Sequence, residues 1–161
     1  MRCRVLARQT SHPAGEGVSV IHPAPTARRI NEDDETFYAR VFAETIHKNP
    51  SMQGLAHVDT EVDQLPTRRF RNAWRVNGAR HVEVDLPVAR QIRMQEIRVE
   101  RDAKLVASDG PLLRNQEQGK DVTALKAYRQ TLREIPQTMD LMKATTPEEL
   151  ATLVPAWPVQ P

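Results

Sequence analysis

Cysteine is nearly absent. Cys3 stands alone, so no intrachain disulfide and no thiolate metal cluster can form, which suits a reducing compartment. Aromatic residues are only 4% of the chain, so the core has to be small and mostly aliphatic, and some apolar surface is expected to need a partner to bury it. No apolar run approaches the roughly 18 residues of a membrane span. No signal-type apolar region follows Arg2 and Arg4, so the expectation is a soluble protein that is not exported by the general route. The net charge of +2 is too small to imply nucleic acid by itself. Catalytic signatures are missing too. There is no Gly-x-Ser-x-Gly elbow, no P-loop and no Gly-x-Gly-x-x-Gly. His12, His22, His47, His57 and His81 are scattered without metal-ligand spacing. The acidic run at residues 31–35 lacks the alternation, the turn glycine and the distal glutamate of a calcium loop, and reads instead as a helix start. The expectation is a non-enzyme with no metal and no cofactor, one that works by contact.

What the chain does have is uneven charge. Residues 31–65 carry eight acids against two bases, and residues 66–104 carry ten bases against five acids. Such a chain can satisfy itself internally or pack head-to-tail with copies of itself. Proline and glycine divide it well. Cys3, Val5 and Ala7 alternate with Arg2, Arg4, Leu6 and Arg8, and Val18, Val20 and Ile21 follow Gly15 and Gly17. This predicts two short strands joined across residues 10–16. Asn31 is placed to cap a helix over residues 32–48, with Phe37, Tyr38, Val41, Phe42, Thr45 and Ile46 on one face. Residues 55–59 are a weaker strand candidate. Residues 74–76 and 80–84 read as arms of a hairpin around Asn77-Gly78, a pair that supplies two positive-φ positions. Residues 68–73 suit a short helical turn.

The last seventy or so residues predict two amphipathic helices folded back on each other. Asp85 caps the first and Pro87 falls in its first turn. Val88, Ala89, Ile92, Val99, Ala103 and Val106 form the stripe read as its inward face, and Asp109-Gly110-Pro111 breaks or kinks it. The return helix carries Leu125, Tyr128, Leu132 and Ile135, and Pro136 is read as its stop. Thr146-Pro147-Glu148-Glu149 is a capping box with Leu150 and Leu153 as its apolar side. The fold class is therefore α+β. Residues 1–85 form a β-rich docking module with one helix near 32–48. Residues 86–154 form an antiparallel helical hairpin plus a short capped helix, and residues 155–161 an extended proline-rich tail.

One cluster has functional character. In residues 68–75 arginines alternate with Phe70 and Trp74, and on the following helix Arg90, Arg93, Arg101 and Lys104 lie opposite the apolar stripe with Met94, Ile97 and Leu105 among them. Arginine with interleaved aromatics can hold a phosphate backbone. A nucleic-acid face does not need the methionine and aliphatics, whereas a protein interface favours that mixture. A solvated helix face is the plain alternative. The candidate partner interface is Arg68, Arg71, Trp74, Arg90, Met94, Ile97 and Arg101.

Several segments together resemble small proteins encoded in the structural gene blocks of tailed bacteriophages. The matching pattern runs through Val18-Ser19-Val20-Ile21-His22-Pro23, Phe70-Arg71-Asn72-Ala73-Trp74, Val84-Asp85-Leu86-Pro87-Val88-Ala89-Arg90 and Ala144-Thr145-Thr146-Pro147-Glu148-Glu149-Leu150. The stretch from Tyr128 to Pro136 also resembles the C-terminal helical segment of phage tail-fibre assembly proteins. These resemblances imply a virion protein of the tail or head–tail neck. It would link or anchor fibre or tail subunits in several copies, and would be made in the host cytoplasm. The alternative they imply is a tail-fibre assembly chaperone absent from the finished particle. A third and weaker reading is a nucleic-acid-binding protein using residues 68–75. Membrane partners are not expected.

Overall fold

The computed structural model describes residues 1–9, 11–12, 15–77 and 81–161. It divides into two compact units, Met1–Asp85 and Leu86–Pro161. The class is mixed: antiparallel strands come first and helices follow.

In the first unit, β1 (Arg2–Arg8) is the centre of a three-stranded antiparallel sheet. β2 (Gly17–Ile21) pairs on one side with Val5 opposite Val20. β3 (His57–Glu61) pairs on the other with Val5 opposite Val58. The period of two seen in the sequence sorts the side chains by face. Cys3, Val5 and Val18 pack with Trp74 on one face, and Leu6 and Ile21 pack with Phe42 on the other. The odd-numbered side chains of β1 are the apolar set, whereas the other face places Leu6 among Arg2, Arg4 and Arg8, with the Arg4 guanidinium 4.5 Å from the centre of the Phe42 ring.

Phe42 belongs to α1 (Asp34–Lys48), whose buried residues are Phe37 and Phe42. Its cap differs from the sequence expectation. Asp33, not Asn31, accepts the Thr36 amide at 2.8 Å, and Asn31 sits at φ +61° before the helix begins. Glu32 is diverted from the helix start to a bidentate pair with Arg40, at 2.6 Å through both oxygens. Residues Arg68–Ala73 form a 3-10 turn that leads into β4 (Trp74–Val76), paired with β5 (Val82–Val84). The expected turn at Asn77-Gly78 lies outside the described residues. The strands set Val76 opposite Val82.

The second unit is built on α2 (Leu86–Ala107), α3 (Asp109–Glu117), α4 (Thr123–Thr138) and α5 (Pro147–Thr152). α2 packs against α4 and α5. The long helix breaks at Ser108. Pro111 has no N–H to give the carbonyl of Ala107, four residues back, so the helix ends there and restarts. Leu125, Tyr128, Leu132 and Ile135 are the buried stripe of α4, as their spacing predicts. Pro136 does not stop this helix. It falls in the last turn, where it removes one hydrogen bond, and the helix ends two residues later with the Met139 amide on the Ile135 carbonyl. Both halves of the Thr146 capping box form.

Candidate functional site

Of the expected inward stripe of α2, Ala89 is buried, but the buried face then turns toward Arg93 and Ile97, which the sequence reading placed opposite. Its buried residues are Ala89, Arg93 and Ile97, whereas Val99 and Val106 are 60% and 69% exposed. The cause lies in the arginines. Their stems cover apolar surface and their guanidinium groups hold the ends of other segments. Arg90 donates to the carbonyls of Leu141 and Ala144 at 3.2 and 2.9 Å. Arg93 donates to the carbonyl of Leu153 at 2.6 Å and to Glu96 at 3.0 Å. The Ala144 and Leu153 carbonyls lie just past the ends of short helical turns and the Leu141 carbonyl opens one, and a charged donor to such a carbonyl is strongly favoured. From α4, Arg129 reaches the break in the long helix and donates to Leu105, Ser108 and Asp109. The proline-rich tail is held too: Pro155 is buried, and the Lys104 ammonium lies 5.1 Å from the centre of the Trp157 ring.

This arrangement leaves the aliphatic stripe of α2 facing outward. Ile92, Val99 and Ala103, with Gln95, Glu96 and Glu100, line an open and largely apolar groove of about 500 Å³. Val106 and, on α3, Leu113 continue as exposed apolar side chains. Ile92, Val99, Val106 and Leu113 recur every seven residues. Sequence reasoning named three of these four but assigned them to the core. The signal that would have reversed the reading was present: Ala89, Arg93 and Ile97 recur every fourth residue, as an inward stripe with arginine stems would.

The expected interface residues divide between the two units. Arg68, Arg71 and Trp74 belong to the first unit, and Arg90, Met94, Ile97 and Arg101 to the second. Trp74 is 1% exposed and donates its indole N–H to the Thr67 carbonyl; Ile97 is fully buried. Neither offers surface to a partner, because each fills the interior of its own unit. Arg90 is committed to two carbonyls, and the half-buried Arg101 is paired with Asp102. Met94 stays half-buried in a second groove with Arg98, Met139 and Met142. Arg68 and Arg71 are exposed.

Among the described residues no group of three or more His, Cys, Asp or Glu side chains is placed to hold a metal ion. No described helix is long and apolar enough to cross a membrane. Burial pushes the Cys3 thiol up, away from the reactive thiolate. The carboxylates held below their ordinary values are capping or paired groups: Asp33 by the Thr36 amide and hydroxyl, Asp59 by Arg4, and Glu149 by the Thr145 amide and hydroxyl.

The family model described as phage tail assembly chaperone protein matches residues 94–161. That stretch holds most of α2, all of α3 to α5 and the tail, and it includes Val99, Ala103 and Val106 of the exposed stripe. The helical part of the chain is thus similar to phage tail assembly chaperones, and the similarity supports a phage tail-related protein. No curated protein and no solved structure gives a match.

Proposed function

We propose that this chain is a non-enzymatic assembly chaperone of a phage tail, which holds a tail protein until assembly and is absent from the finished particle. Of the readings taken from the sequence, this was the alternative to a virion linker. The match over residues 94–161 favours it. The observation that carries it is the exposed apolar groove of α2 around Ile92, Val99 and Ala103. A chaperone needs apolar surface that stays open in the free protein and is covered by its client. Aliphatic side chains recurring along an exposed helix face are such a surface. Glu96 and Glu100, which rim the groove, are already paired with Arg93 and Lys104, so the occupant that fits is an apolar client segment.

The test is genetic and compositional. A phage lacking the gene is supplied with wild-type protein or with Val99→Glu, and tails are counted by electron microscopy. Wild type restores tails. Val99→Glu does not, although it folds, because a charge now sits in the client groove. Mass spectrometry of purified virions finds none of the protein. Its presence in virions at a fixed stoichiometry overturns the chaperone reading in favour of a virion component. Full rescue by Val99→Glu removes the α2 groove as the client site.

A further inference from the structure

A second binding feature lies in the first unit, outside the matched residues. Among the described residues β2 is an edge strand, paired with β1 on one side. The Ala7 amide donates to Ala56 on the β3 side, so Ala7 and Val5 point their backbone groups toward β3, and Arg8 and Leu6 point theirs toward β2. Their partners Gly17 and Ser19 therefore face β1. Val18 and Val20 face the other way, and their N–H and C=O groups take no hydrogen bond within the described residues. Unpaired backbone groups on an edge can take another strand. This edge opens on a cleft of about 410 Å³ lined by Arg8, Val18, Val20, Met52, Arg71 and Asn72.

The charge at this edge is one-sided. In the first unit Arg2, Arg4, Arg28, Arg29, Arg40 and Arg75 each have an acidic partner. Most of the acids of residues 31–65 are consumed by the first five of these, not by the bases that follow in the sequence. Arg8, Arg68 and Arg71 have no acidic partner among the described residues. The Arg8 Nε is buried without a hydrogen-bond acceptor. Gly17 lets the Arg8 head reach the edge: a Cβ at position 17 would lie 2.9 Å from Arg8 Nη2. Arg71 lines the same cleft as Arg8, and after partial burial Arg68 and Arg71 are what holds the His22 imidazole below its ordinary pKa.

We propose that the β2 edge is a docking slot for an extended acidic segment of a partner protein, which adds to the sheet as a fourth strand beside Val18 and Val20 and sets its carboxylates against Arg8 and Arg71. Backbone hydrogen bonds supply the register, and arginine–carboxylate pairs select the partner. The cleft suits a peptide better than a nucleic acid, since no aromatic side chain lines it on which a base would stack. The slot does not depend on the chaperone reading or on the α2 groove.

The experiment uses the full chain and three fluorescent probes: a short peptide of alternating valine and glutamate, its valine–lysine counterpart, and a single-stranded oligonucleotide of comparable charge. The glutamate peptide binds and the lysine peptide does not. Arg71→Glu weakens binding by on the order of tenfold or more, as loss of a charge-assisted pair requires. Methylating alternate backbone amides of the peptide also removes binding, which a purely electrostatic surface would not. This arm needs no change to the protein. Equal affinity for the methylated peptide overturns strand addition. Tighter binding of the oligonucleotide overturns the peptide assignment. Self-association of the unliganded protein that Arg71→Glu abolishes would overturn it as well, in favour of a contact between copies. Val99→Glu leaves peptide binding unchanged, so this slot and the α2 groove are tested separately.

Discussion

At the scale of single residues, Leu132 and Val99 separate the two faces of the helical unit. Leu132 is fully buried in α4 and Val99 is 60% exposed on α2. Leu132→Ala is expected to cost about 2–5 kcal/mol, the transfer term plus a cavity. Val99→Ala should stay within about 0.5 kcal/mol of wild type, as exposed substitutions do. Denaturant midpoints of the two variants check this, and similar losses for both would return Val99 to the core. Glu32 makes a pH prediction. Arg40 holds its carboxyl down from 4.5 to about 2, through the paired hydrogen bonds first. A depressed acid stabilises the fold fully above its unfolded value and loses that contribution as pH falls through the folded one. The gap in denaturant midpoint between wild type and Glu32→Gln should therefore be widest near neutral pH and shrink from about pH 4.5 down to about 2. A gap that does not change with pH would mean that the pair contributes nothing to acid sensitivity.

At the scale of elements, termini decide more than interiors. α5 is only six residues long, too short to stand by propensity, and it is held by its capping box, by Pro147 at its first position and by the burial of Leu150. Thr146→Ala should cost about 1 kcal/mol, with a loss of up to about 2, read from the chemical denaturation midpoint. No change would mean that Arg93 and the Leu150 contact hold α5 without its cap. The same logic explains why a proline reads differently by place. Pro111 sits where its missing donor ends a long helix, whereas Pro136 sits within the final turn and costs one bond. Spacing alone did not distinguish these two. It did locate the α1 face, the α4 stripe and the α5 cap, because each of those depends on residues within a few positions of one another.

At the scale of the whole chain, each unit carries a surface that the proposals above assign to a partner. One is the apolar groove of α2, and the other is the basic edge of β2. Val99, Val106 and Leu113 are exposed apolar side chains on the helical unit. At this scale the complementation and peptide-binding experiments are expected to give separate answers. Val99→Glu should abolish tail rescue and leave peptide binding intact, while Arg71→Glu should weaken the peptide and leave the fold unchanged by circular dichroism. Loss of both activities from either single variant would show that one surface serves both.

The sequence by itself determined the local features: where most helices and strands lie, which residues form the stripe of α4, the capping box of Thr146 and the α+β order. Each follows from a period of two or of 3.6, or from a cap within three residues, and such patterns are set by backbone geometry before any long-range contact exists. Only the tertiary structure decided which side of α2 faces inward. Both of its faces carry aliphatics, and the choice was made by carbonyls far along the chain, at Leu141, Ala144 and Leu153, which needed donors that Arg90 and Arg93 supply. The placement of β1 between β2 and β3 was decided in the same way, by a pairing between Val5 and Val58 across fifty residues. That pairing leaves β2 with a free edge, and no periodicity in the sequence marks a strand as an edge.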